Sequence, residues 1–141
     1  MRGLALFAAT LTLAAMAWPA VGQAQDGRLT VELNKFETIE AGCRTFFLFR
    51  NGSSTGFQGF EMSLAVFDQE GVIDRLLKVE AAPLPAVRTT LKLYEIPDLR
   101  CEEVGEILLH EIARCEPEGG GTLDCFAVVD LASRAPAALV K

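Results

Sequence analysis

The chain predicts an all-β fold: a single immunoglobulin-like sandwich of about seven strands, held by two disulfides and preceded by a cleaved export signal. Three observations predict it. Apolar and polar residues alternate with a period of two through most of the chain after residue 28. Turn-forming clusters of Gly, Pro, Asn, Asp and Ser separate these runs at intervals of about ten residues. Four cysteines, Cys43, Cys101, Cys115 and Cys125, all lie beyond an N-terminal segment with the make-up of a secretory signal.

That segment is Met1 to Ala24. Arg2 gives a short positive start, Leu4 to Trp18 is apolar apart from Thr10 and Thr12, Pro19 breaks the run, and Gly22-Gln23-Ala24 offers small residues for cleavage after Ala24. The apolar run falls short of the ~20 residues of a spanning helix, and no later stretch reaches that length, so no stable membrane insertion is expected. The n-region lacks a twin Arg and no Cys adjoins the cleavage site, which favours general secretion without a lipid anchor. The division is therefore a signal peptide at 1–24, a sandwich domain at 25–134 and a short tail at 135–141, with the mature protein periplasmic or secreted.

The elements follow in order. Leu29, Val31 and Leu33 alternate with polar neighbours as a first strand, and the aromatic-rich Thr45 to Arg50 reads as a buried second one. Asn51-Gly52-Ser53-Ser54-Thr55-Gly56 is a turn by residue type, and the glycosylation sequon it contains is explained by that turn. Phe60 to Phe67 is the third strand; Asp68-Gln69-Glu70-Gly71 is a hairpin loop, and Val72 to Val79 follows as the fourth. Pro83 and Pro85 interrupt pairing. Val87 to Tyr94 alternates as a fifth strand with one wet face, ended by Pro97. The sixth segment, Val104 to Cys115, begins with acids that suit a helix start, but its Gly and its flanking strands favour strand over 106–115, with room for one helical turn in 98–104. Cys125 to Ser133 is the seventh strand. Ala135 to Lys141 either frays or adds a short strand.

Four cysteines allow three pairings. If each strand reverses, Cys43 and Cys101 meet at one end of the sandwich and Cys115 and Cys125 at the other. A cross-pairing would span a strand of roughly 20 Å, whereas disulfide Cα atoms lie within about 7 Å. Cys43–Cys101 and Cys115–Cys125 are the expected bridges. Metal or dithiol chemistry fits poorly, because 57, 13 and 9 residues intervene between successive cysteines and no C-x-x-C exists.

Composition and motifs narrow the function by exclusion. The chain carries a formal charge of −6, and loss of residues 1–24 removes one Arg and no acid, leaving −7. An acidic surface argues against nucleic acid as the partner. His110 is the only histidine, and as strand neighbours His110 and Glu111 are expected on opposite faces. No G-x-S-x-G elbow, calcium loop or Met/His cluster is present, so neither an enzyme nor a cofactor is expected. Phe46 and Leu48 fall on one face of the second strand, with Thr45, Phe47 and Phe49 on the other. A two-sheet core can absorb most of these aromatics but not all, and an exposed remainder would mark a partner site.

The segment Leu64 to Ile73, with Phe67-Asp68 and Gly71, preceded by Phe49-Arg50-Asn51, resembles the FxLYD-like β-sandwich domains of bacteria. Those show an asparagine after a strand, then a strand ending in an aromatic-Asp pair, then a Gly-containing hairpin. The mature chain also resembles small exported proteins of Gram-negative bacteria. The resemblance implies a fold and an envelope setting, carries over no catalytic residue, and does not include the cysteines. The expectation is a non-enzymatic binding or assembly module that docks on another envelope protein. The alternative is an inhibitor of a periplasmic or secreted hydrolase, of the lysozyme-inhibitor kind.

Overall fold

Inward-facing apolar residues of two four-stranded sheets meet to form the core. The computed structural model describes residues 27–141; the expected signal peptide lies outside the described residues. The strands are β1 (Leu29–Ile39), β2 (Gly42–Asn51), β3 (Phe57–Phe67), β4 (Ile73–Glu80), β5 (Arg88–Pro97), β6 (Glu106–Pro117), β7 (Val129–Ser133) and β8 (Ala138–Val140). The first sheet has the order β5-β2-β1-β7 and the second β4-β3-β6-β8. Pairing of β2 with β5 and of β3 with β6 is the immunoglobulin-type connectivity. The C-terminal strands depart from it: β7 runs parallel to β1 on the first sheet, and β8 runs parallel to β6 on the second.

Leu29, Val31, Leu33, Phe47 and Phe49 of the first sheet face Phe60, Met62, Leu64, Val66, Ile107 and Leu109 of the second, all buried. Phe60 packs edge-on against Phe49 and Phe57, with centroids 6.5 and 5.6 Å apart. Burial of such side chains contributes about 1.5–3 kcal/mol each and is the main force holding the sheets together.

With β1 drawn upward, the β1–β2 and β5–β6 connections lie at the upper end and the β2–β3, β4–β5 and β6–β7 connections at the lower. Cys43 is joined to Cys101 at the upper end and Cys115 to Cys125 at the lower, with Cα separations of 4.9 and 6.3 Å. These are the pairs expected from strand direction. Gly42 opens β2 with φ +147°, and a Cβ there would stand 2.1 Å from the Ile96 carbonyl oxygen, so the close approach of β2 to β5 requires glycine.

Four details differ from the sequence reading or resolve it. Residues 98–104 do contain one turn, a 3-10 turn at Cys101–Glu103. Cys125–Val128 is a helical turn, α1, rather than the start of a strand; the Asp124 carboxylate accepts the Ala127 N–H and caps it, so β7 begins only at Val129. Residues 138–140 add a strand, giving eight. Register shifts between β3 and β6 break the alternation along β6, and His110 and Glu111 are both exposed.

Candidate binding face

β5 is turned with its leucines outward. Hydropathy alone would bury Leu91 and Leu93 and leave Thr90 and Lys92 in water. The opposite holds: Leu91 is 52% and Leu93 46% exposed. The cause lies at the upper half of the strand. Ile96 is buried opposite Cys43, and Tyr94 sits opposite Thr45 with its ring 5.7 Å from that of Phe47 and its hydroxyl donating to the Glu80 carbonyl at 3.0 Å. Burial, aided by the Glu80 charge, pushes the Tyr94 phenol well above its usual range. Because side chains alternate, anchoring Tyr94 and Ile96 inward forces Leu91 and Leu93 outward.

There they meet the two residues of β2 that the core leaves over. Leu91 pairs across the strands with Leu48, and Leu93 with Phe46. Phe46 and Leu48 are half-buried, and the Lys35 ammonium stands 5.1 Å from the Phe46 ring centre. The result is a row of four apolar side chains on the outer surface of the first sheet. The neighbouring sheet edges are guarded. Lys92 of β5 points inward and donates to the Ala82 carbonyl at 3.2 Å, and Arg75 of β4 reaches across to the Pro97 carbonyl. Inward-pointing charges on edge strands oppose strand addition, so on the first sheet the accessible apolar surface is the face and not the edge; Val72, Ile73 and Leu76 of the β3–β4 hairpin are exposed apolar residues of the other sheet.

Below this row lies a cleft of about 330 Å³, lined by Arg28, Arg50 and Arg88 together with Thr30, Thr89 and Val87. Arg28 is held by the two oxygens of Asp130 through Nε and Nη2, each 2.5 Å long. Arg50 Nη1 donates to Glu32 at 2.8 Å. Arg88 pairs with no carboxylate among the described residues. Glu32 is an unusual acid, only 4% exposed although it stands on an outer face. Asn34 donates to it at 2.7 Å and Arg134 approaches to 3.4 Å. The Asn34 bond first, then Arg50, hold its carboxyl below the usual range, and the Arg28 bond does the same for Asp130.

The rim of the cleft is strained. Val87, 76% exposed, has φ +50°. A β-branched residue is a genuine outlier there, and such conformations cost about 1–3 kcal/mol and cluster at binding sites. Asn51 fixes this rim. It is buried, and its Nδ2 donates to the Thr55 and Pro85 carbonyls at 2.8 and 3.2 Å, while its Oδ1 accepts the Ser53 N–H at 3.0 Å. The Val87 N–H in turn donates to the Ser53 carbonyl at 3.1 Å. The sequon asparagine is thus an internal brace, with its amide nitrogen already engaged.

Six of the chain's 13 Lys and Arg residues stand on this face or its rim: Arg28, Lys35, Arg44, Arg50, Arg88 and Arg134. Among the described residues they face four carboxylates, Glu32, Glu37, Glu95 and Asp130. A chain of net charge −6 therefore carries one face with a surplus of cations.

Other groups singled out in the sequence lie elsewhere. Asp68 accepts the Glu70 and Val72 N–H groups at 3.0 and 2.9 Å and closes its hairpin. Glu103 accepts the Arg100 N–H at 2.9 Å. Met62, Phe57 and Phe60 are core. Among the described residues no three of His, Cys, Asp and Glu gather as metal ligands, and no helix is long and apolar enough to cross a membrane. Sequence reasoning missed the three cleft arginines, because they come from the ends of three strands; their only sequence signal is their position beside turns, at Arg28, Arg50 and Arg88. Compared with known protein families, curated proteins and solved structures, the chain matches none.

Proposed function

We propose that this protein is a non-enzymatic binding or assembly module that docks on another envelope protein through the outer face of its first sheet. One observation carries the reading: β5 keeps Lys92 inside and Leu91 and Leu93 outside. A strand that exposes its leucines beside Phe46 and Leu48 presents the apolar centre of an interface, and the surrounding arginines and carboxylates form its polar rim. Two disulfides, with no free cysteine among the described residues, are compatible with an oxidising compartment, which accords with a periplasmic or secreted setting.

The test is site-specific photo-cross-linking of the full chain in its native cells. A photoreactive residue at Leu93 is expected to give a discrete adduct with another protein, abolished by Leu91→Asp, whereas one at Val72, exposed on the other sheet's side, gives none. No adduct at Leu93, or equal adducts at both positions, would count against the reading.

A second reading, inhibition of a periplasmic or secreted hydrolase of lysozyme type, draws on the opposite surface. Glu61, Glu106 and Glu111 stand on the outer side of the second sheet and would suit a cationic enzyme. A direct lysozyme inhibition assay separates the two.

A further inference from the structure

The geometry points to an acidic, apolar-flanked peptide segment as the occupant: the arginine cleft takes its carboxylates while Leu48 and Leu91 take a neighbouring aliphatic or aromatic side chain. This rests on the docking reading above and names the chemistry of the partner.

The cleft is built for carboxylates. A guanidinium carries five N–H donors in a planar fork that matches a carboxylate. Arg28 and Arg50 each spend part of that fork on an internal acid, Asp130 or Glu32, which fixes their position and leaves donors free. Arg88 is the unsatisfied member, with no carboxylate partner among the described residues, and it follows the strained Val87 directly. Arg88 stands at the rim, on the Asn51 side of β5, and with Arg28 and Arg50 it gives the cleft more cationic residues than a single carboxylate needs, so the segment carries more than one acid. The apolar half of the requirement follows from register. Leu48 lies two residues from Arg50 on the same side of β2, and Leu91 two residues beyond Thr89 on the same side of β5. An acid in the cleft thus brings its neighbours onto the leucines.

Charge selects this occupant over the others. A second copy stacked on the same face would bring its own cation-rich surface to this one, and a copy docking through its acidic second sheet is an outcome the cross-link map identifies. A basic partner would meet the arginines, while the net negative charge of the chain disfavours acidic partners elsewhere on it, so steering favours this face for an acidic segment.

The experiment compares the Leu93 photo-adduct in wild type, Arg88→Glu and Arg88→Lys. Arg88 is exposed and has no ion pair among the described residues, so these variants are expected to keep the fold, which circular dichroism verifies. The expected result is at least a tenfold loss of adduct in Arg88→Glu, a partial loss in Arg88→Lys, and a decline in yield as salt rises. Mass spectrometry of the cross-linked peptide is expected to show two or more Asp or Glu residues next to a bulky apolar one. An adduct that is unchanged in Arg88→Glu, or that maps to a neutral or basic segment or to a second copy of this chain, overturns the acidic-segment proposal and leaves the docking reading standing. Absence of any adduct in wild type overturns both.

Discussion

The two ends of the sandwich carry one disulfide each and are built on different principles. At the upper end backbone and core do the fastening. Cys43 is fully buried, Gly42 lets β2 touch β5, and the Asp98 N–H donates to the Ala41 carbonyl at 2.8 Å. At the lower end side chains tie loops together: Asn51 spans two connections, Cys115–Cys125 brackets a run in which Gly119, Gly120 and Gly121 all have positive φ, and the arginine cleft opens beside Val87. The contrast teaches where recognition is placed. A rigid pole fixes strand register, including the outward turn of Leu91 and Leu93, and the loop-built pole supplies the variable chemistry.

The largest test of this division removes the bridges. Cys43 and Cys101 are 58 residues apart in sequence, and Cys115 and Cys125 are 10 apart. Loop entropy gives about 4 kcal/mol for the first and about 2.7 kcal/mol for the second. Cys43→Ala with Cys101→Ala adds a cavity in the core, so urea unfolding should show the larger loss there, a big share of a total stability of roughly 5–15 kcal/mol. Cys115→Ala with Cys125→Ala should cost less, with hydrogen-exchange protection lost mainly at α1 and β7. Equal costs, or the reverse order, would break the division.

Acid sharpens the comparison at a smaller scale. Glu32 and Asp130 beside the cleft and Glu103 at the upper end all have lowered folded values. For a depressed carboxylate the stabilisation is fully present above its unfolded value, ordinarily 4.5 for Glu, and is lost as pH falls through the folded value. The urea midpoint should therefore be flat above about pH 5.5 and fall below it. Glu32 is covered by its partners, so Glu32→Gln should cost about 1–2 kcal/mol near neutrality and flatten the acid limb. Glu103 is solvated, so Glu103→Gln should flatten the acid limb much less than Glu32→Gln. An acid limb insensitive to Glu32→Gln would sink this assignment.

How much of this was legible in the sequence follows the same split. Alternation gave away every strand of the two sheets except the short β8, left open at Ala135 to Lys141, and reversal of direction was enough to pair the cysteines. Those signals are local or depend only on strand order. The face of β5 was not legible, because its alternation has two possible inward sides and the choice is made by packing of Tyr94 and Ile96 against β2. The bulges that shift the register of β6 beside His110 and Glu111 leave no residue-type signature. Residues 125–128 read as strand because Phe126, Val128 and their neighbours have β propensity, which the Asp124 cap overrides. The cleft itself needed three-dimensional proximity of Arg28, Arg50 and Arg88.

The finest test concerns the strained rim. Val87 was expected to open the fifth strand, yet it sits at φ +50° with its N–H on Ser53, because the chain leaving the Asn51 brace at Pro85 must turn before it can enter β5 at Arg88. Asparagine tolerates this conformation far better than valine, and at 76% exposure valine gives up little burial on replacement. Val87→Asn should therefore stabilise the protein by about 1 kcal/mol, raising Tm by about 3–5 °C. If the strain serves to hold an apolar wall against Arg88, the same variant should lower the yield of the Leu93 photo-adduct while Tm rises, opposing movements that a purely structural residue would not produce. A fall in Tm would mean that the Val87 side chain, and not its backbone, is what the lower end relies on.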